Sequence, residues 1–204
     1  MRDPIDDLLH RDAIARRIQG WAHWRDTCDW ASLQDCFVPD ATMVTTWFDG
    51  SAADFVAASR RLAETGAGGS VQHVMGASIV ELGDGRAIAA TRVQLAVRGK
   101  VHGVAVDVVC LGRFHDRLLL CPDGAWRLRH RIPVYDKDML QPVVPGTPLH
   151  LDAEVFGRLP PHYAHLSYMQ QQGGATITMD LPVPNSAEDR ALRAADAAWL
   201  AGRD

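Results

Sequence analysis

Two residues carry the chemistry this sequence can perform with side chains alone: Asp26, in Trp24-Arg25-Asp26-Thr27-Cys28-Asp29-Trp30, and His73, in Ser70-Val71-Gln72-His73-Val74-Met75-Gly76. A carboxylate that accepts one ring proton of an imidazole fixes the tautomer and leaves the other nitrogen as a general base near neutral pH, a task that needs neither metal nor cofactor. The plain alternative is a partly buried histidine satisfied by its neighbours and an aspartate that caps a helix. Asp29 is the better cap for the segment that follows, so Asp26 needs another explanation. Asp107 interrupts the apolar run from Val104 to Cys110, where an unpaired carboxylate would be costly if buried; it either faces solvent or contributes to a pocket. Among nine histidines the close pair His162 and His165 lacks a His-Glu-x-x-His partner, so no metal is expected. Cys28, Cys36, Cys110 and Cys121 show no Cys-x-x-Cys spacing and read as reduced structural thiols. No glycine-rich phosphate loop is present, which points to an unphosphorylated, hydrophobic ligand and to no cofactor.

The elements that must position these residues are legible from periodicity. Asp3 and Pro4 form a helix-start signal, and Ile5, Leu8, Leu9, Ile14, Ile18 and Trp21 then recur at helical spacing, so one buried stripe of about six turns is predicted. Asp29 opens a short second helix that Pro39 and Asp40 stop, Ala41 to Phe48 fits a strand, and Ser51-Ala52-Ala53-Asp54 is a capping box for a third helix reaching about Thr65, ended by Gly66 to Gly69. The period then changes to two. Residues 70–82, 86–98, 101–120 and 125–137 read as long strands, with turns at Gly83-Asp84-Gly85, Gly99-Lys100 and Pro122-Asp123-Gly124. On the second of them Ala87, Ala89, Thr91, Val93, Leu95 and Val97 alternate with a wetter face. Helices ahead of an antiparallel sheet that must bury one face make an α+β layer arrangement. Residues 1–140 form this domain. Residues 141–204, with Pro142, Pro145 and Pro148 as a stiff connector, a helix within 160–172 and another over 187–201, form an extension expected to pack on the domain, on a neighbouring subunit, or over the mouth of a cavity.

Composition narrows the partners. A chain of 204 residues, 47% hydrophobic and 23% charged, suits one domain with an appendage. A net charge of −4 with dispersed arginines offers no phosphate-tracking surface, so nucleic acid is not expected as a partner. The acidic start Met1-Arg2-Asp3-Pro4-Ile5-Asp6-Asp7 does not read as a signal peptide, and no stretch reaches the roughly 20 apolar residues of a membrane span, so the expected location is the cytoplasm, away from the membrane.

The helix-end segment Arg25 to Trp30 followed by Phe37-Val38-Pro39-Asp40-Ala41, His73 early in the first long strand, and the pair Gly112-Arg113-Phe114-His115-Asp116-Arg117 and Asp123 to Arg131 together resemble the SnoaL-like branch of the nuclear transport factor 2 (NTF2)-like superfamily, over roughly residues 5–137. The resemblance implies a cone built from a strongly bent sheet and its helices around a deep apolar pocket, in a chain that assembles as a homodimer or homotrimer. It spans several functions: scytalone dehydratase, hexachlorocyclohexane dehydrochlorinase, ketosteroid isomerase, polyketide cyclases, limonene epoxide hydrolase and γ-formaldehyde lyases, but also non-enzymes such as the β subunits of ring-hydroxylating dioxygenases. Fold alone does not choose among them. Asp26 and His73 match the Asp-His dyad of the dehydratase and dehydrochlorinase, whereas Arg98-Gly99-Lys100 does not supply the Arg-x-Asp element of limonene epoxide hydrolase and the tyrosines, all after residue 134, match ketosteroid isomerase poorly. The implied site is therefore His73 and Asp26 as catalytic residues, Arg131 anchoring a phenolate, carboxylate or departing oxygen, and Trp21, His23, Trp47, Asp107 and Tyr135 as further substrate contacts. The implied function is a cofactor-independent lyase that removes water or formaldehyde from a hydrophobic aromatic molecule. A non-catalytic binding or assembly subunit, or an isomerase or cyclase using the same base, is the alternative.

Overall fold

The computed structural model describes residues 3–66 and 68–203. Met1 and Arg2 of the acidic start, Ala67 in the glycine-rich segment expected to end the third helix, and Asp204 lie outside the described residues. The chain runs α1 (Pro4–Asp26), α2 (Trp30–Asp35), β1 (Phe37–Val44), β2 (Asp49–Ser51), α3 (Ala52–Thr65), β3 (Ser70–Leu82), β4 (Arg86–Val101), β5 (Val104–Leu120), β6 (Trp126–Pro142), α4 (Ala153–Phe156), α5 (Ala164–Gln172) and α6 (Ala187–Leu200). The strands form one open mixed sheet in the order β2-β1-β6-β5-β4-β3, antiparallel except where β1 runs parallel to β6.

Asp3 accepts from the Ile5 amide at 2.9 Å and Pro4 occupies the first turn, so α1 starts where the sequence places it. The helix buries Ile14, Ile18, Trp21 and Ala22 against the sheet, but Ile5, Leu8 and Leu9 are 66%, 65% and 61% exposed, which corrects the expectation of a stripe buried along its full length. Periodicity reports which side of a helix is apolar and not how far the sheet extends beneath it. Docking begins at His10, whose Nδ1 accepts from Trp126 Nε1 at 3.1 Å.

Two further expectations are corrected. The hairpin between β4 and β5 turns at His102 and Gly103, both with positive φ (49° and 80°), and Gly99-Lys100 lies inside β4. Positive φ at both central residues matches the twist of a two-residue hairpin, and Val101 pairs with Val104 across it. The strand read at Ala41 to Phe48 lies earlier, at Phe37–Val44, with Pro39 and Asp40 inside it. Pro39 is tolerated there because the pairing with β6 is broken between Phe37 and Thr42.

The C-terminal extension packs on its own chain. α5 lies against β6, β4 and β5, and Asp138 of β6 fastens its first turn by accepting from Leu166 N and pairing with His165 Nδ1, each at 2.8 Å. α6 crosses the opposite face of the sheet, where Arg113 donates to Asp189 at 3.1 Å and Arg117 donates to Asp196 at 2.8 Å, with His115 Nδ1 3.2 Å from the same carboxylate. Burial pushes both carboxyls up. The amide of Asn185 with Arg113 and Arg193, and His115 with Arg117, outweigh it and hold Asp189 and Asp196 below the ordinary carboxylate value. A carboxyl depressed in the folded protein adds stability above its unfolded value, about 3.9, which is lost as pH falls through the lower folded value. We therefore expect α6 to stay docked at neutral pH and to detach selectively below about pH 4. Trp199, stacked 4.2 Å from the Arg86 guanidinium, reports the step as a fluorescence red shift that Asp196→Asn should displace toward neutral pH.

Among the described residues no helix is long and apolar enough to cross a membrane. Cys36 and Cys110 are buried, unbridged thiols, and burial pushes Cys36 up to about 11.

Candidate active site

Asp26 sits in the last turn of α1. The Thr27 amide and hydroxyl both close onto His23 O, Cys28 adopts a left-handed φ of 61°, and Asp29 accepts from Ser32 N at 3.1 Å to cap α2. This turn frees Asp26 from any capping duty and aims its carboxylate at β3. There Oδ1 lies 2.7 Å from His73 Nδ1, and Oδ2 accepts from the His73 backbone amide at 2.7 Å. The two bonds fix both the ring and the strand that carries it. Because a carboxylate only accepts, Nδ1 holds the ring proton and Nε2 keeps the lone pair. No described residue bonds Nε2. The His73 side chain is 9% exposed, and Trp21 packs edge-on against it with ring centroids 5.2 Å apart.

His73 lies on the wall of a cavity of about 960 Å³, inside the size range of small-molecule sites. Trp21, Trp47, Phe55 and Phe114 make the wall aromatic, with Trp47 and Trp21 at 5.7 and 6.1 Å from Phe55. Tyr135 lines it from β6, and Met169 and Gln170 of α5 line it from the extension. Arg25, Arg61 and Lys100 also reach the lining, as does Arg98.

The structure places the remaining expected residues away from the wall. Arg131 is fully buried but behind it: the guanidinium makes two parallel bonds to Asp116, at 2.6 and 2.7 Å, and is stacked 4.4 Å from Trp21 and 4.5 Å from Phe114. Its phase differs from a simple alternation because the β5/β6 register shifts between Arg117 and Leu118, so that Leu128 and Arg131 both turn to the interior. The geometry gives Arg131 the role of supporting Trp21. His23 is exposed on α1, on the side away from the cavity. Asp107 is held by Arg98 in two bonds of 2.7 and 2.8 Å, which draws its carboxyl down; the pair spans β4 and β5 near the lip, and Asp107 itself is off the wall.

Sequence reasoning missed Gln170, Met169, Thr45 and Thr46 on the wall. Thr46 Oγ1 donates to Gln170 Oε1 at 2.6 Å and Thr46 O accepts from Thr178 N at 2.9 Å, which ties the extension to the end of β1. A Gln170-Gln171-Gln172 run at a helix end gives no local signal of this long-range pairing.

An α+β cone whose bent, open sheet closes over helices and an internal apolar cavity, with an imidazole on its wall held by an acid of the first helix, is the NTF2-like architecture. A sequence model of the SnoaL-like domain matches residues 6–132, and the chain belongs to that family. It is 30% identical to pea pathogenicity protein 2 of Fusarium vanettenii over 187 residues, which covers 88% of this chain and 77% of that one. Among solved structures it resembles a hexachlorocyclohexane dehydrochlorinase (TM-score 0.61, 12% identity, covering 73% of this chain and all of that one) and a putative scytalone dehydratase from Novosphingobium aromaticivorans (TM-score 0.54, 17% identity, 71% and 97%). At such identities the likeness is one of fold.

Proposed function

We propose that this chain is a cofactor-independent lyase in which His73, oriented by Asp26, removes a proton from a hydrophobic, aromatic small molecule and a small neutral group, water or formaldehyde, departs. The observation that carries the reading is the pair of hydrogen bonds that one carboxylate accepts from the ring and from the backbone of the same histidine, with Nε2 left unbonded on an aromatic wall. For dehydration, Nε2 takes a C–H proton, the C–H electrons form the new double bond, and the departing hydroxyl leaves as water with the proton returned by the imidazolium. For loss of formaldehyde, the same nitrogen takes the hydroxyl proton of a hydroxymethyl group, the O–H electrons form the C=O of formaldehyde, the electrons of the breaking C–C bond stay on the substrate carbon, and the imidazolium returns the proton to that carbon. Asp26 stabilises the imidazolium in both, and aromatic walls suit a flat ring system. Two proteins of the same fold, the dehydrochlorinase and the putative dehydratase, are named for eliminations, which supports the same class. We place the enzyme in the cytoplasm as a homodimer or homotrimer.

The test is a mass-resolved turnover assay of the purified chain on β-hydroxy and hydroxymethyl aryl ketones. A product lighter than its substrate by water or formaldehyde supports the proposal. A product of unchanged mass identifies an isomerase or cyclase using the same base, and binding without turnover identifies a non-catalytic subunit.

A further inference from the structure

Tyr135 brings to the wall of the cavity a phenol whose hydroxyl no described residue bonds. Of the chain's three tyrosines, Tyr163 donates to Thr178 O at 3.0 Å and accepts from Leu181 N at 3.3 Å. Tyr168 Oη lies 2.8 Å from His102 Nε2 and accepts from Asp152 N at 2.9 Å. Tyr135 is 4% exposed and lines the cavity, and its hydroxyl bonds no described residue. A phenol that lines a cavity with no protein partner for its hydroxyl is available to an oxygen of a ligand, and a ligand that displaced water there without bonding it would leave the hydroxyl unpaired at a cost on the order of 1–3 kcal/mol.

The fold makes room for this side chain deliberately. Gly112 pairs with Tyr135 where the β5/β6 register slips, and a Cβ there would stand 2.5 Å from Val134 O and 3.3 Å from the Tyr135 ring. Burial, with Cys110, Tyr163 and Asp138 nearby, pushes the Tyr135 phenol well above its ordinary value, so it stays protonated and acts as a donor. A second neutral donor lies on the same wall: with Gln170 Oε1 taking the Thr46 hydroxyl, the Gln170 amide nitrogen keeps its hydrogens for a ligand. The cations Arg25, Arg61 and Lys100 belong to helix and strand ends, whereas Tyr135 shares a buried cluster with Met169, Tyr163 and Tyr168 under α5.

We propose that Tyr135 is the specificity-determining residue of this cavity: its hydroxyl, with the Gln170 amide as second donor, binds a neutral carbonyl or hydroxyl oxygen of an aryl substrate beneath α5, so that the site selects oxygenated rings over hydrocarbons of the same shape. The inference rests on the elimination reading only in treating the ligand as a substrate, and its test does not require turnover. Calorimetric titration compares 1-tetralone with tetralin, which differ by the ketone. Wild type should bind the ketone about tenfold more tightly. Tyr135→Phe should abolish the preference while tetralin binds as before, and its ligand-free melting temperature should stay level, because the hydroxyl bonds no described residue; a merely structural tyrosine would lower it. Gln170→Leu should reduce the preference a few-fold. His73→Asn should leave it intact, which separates failure of the base from failure of this site. Equal binding of the two probes by wild type overturns the proposal even if a variant does not fold, and so does a ketone preference that survives in Tyr135→Phe.

Discussion

His73→Ala should lower kcat on any substrate of the elimination by about 10²- to 10⁴-fold, the usual contribution of a positioned general base, with ligand affinity changed much less. The asymmetry follows from geometry. The ring occupies a small part of an aromatic wall that Trp21, Trp47, Phe55 and Phe114 dominate, so its loss removes the lone pair that takes the proton and little of the surface that holds the ligand. Asp26→Asn should approach the same loss by another route. An amide can still accept one bond, but its nitrogen donates, so either the Nδ1–H or the His73 backbone N–H faces a donor where each now meets an oxygen at 2.7 Å. The ring then loses its tautomer preference and the imidazolium loses its counter-charge. Steady-state kinetics on both variants, with circular dichroism to verify folding, decides the matter: full turnover in both would sink the dyad mechanism.

How far the sequence foretold this site depends on the range of the interactions involved. Asp26 could be read because the competing local duty, capping α2, visibly falls to Asp29, and the capping box at Ser51 and Asp54 is local in the same way, with the Ser51 hydroxyl bonded to Asp54 N at 3.1 Å. The long strands follow from a period-two pattern that needs no knowledge of partners. Misreadings arise where a non-local fact intervenes. A register shift opposite Arg117 and Leu118 separates Arg127 from Arg131, which strict alternation puts on one face, leaving Arg127 out toward Asp35 and Asp123 and turning Arg131 inward to Asp116. Likewise the exposed Ile5, Leu8 and Leu9 reflect where the sheet ends, and Gln170 reaches the wall only because α5 folds back over β6. An alternation pattern has no means of recording either.

The largest effect on stability should come from Asp116→Asn, a change of one atom far from solvent. Both side chains of the Asp116 and Arg131 pair are fully buried, and the guanidinium is closed in by Trp21 and Phe114, with Nη1 already lacking a partner. Removing the carboxylate leaves a cation that neither water nor a counter-charge can reach, and breaking such a pair costs on the order of 3–5 kcal/mol. Arginine cannot escape by losing its proton, as a buried lysine would. The expected result is a lower urea midpoint with an unchanged slope, and a loss under about 1 kcal/mol would show that the pair is solvated in solution. The paired replacement Asp116→Leu with Arg131→Met should recover most of that stability, because an apolar pair of similar volume removes the stranded charge along with the bond. Activity should recover less. Trp21 leans on the guanidinium at 4.4 Å and on the His73 ring at 5.2 Å, so the pair reaches the base through one indole, and a methionine in its place fills the volume without holding the indole at that angle. If the double variant regained stability and full turnover together, Arg131 would be a packing element with no part in positioning His73.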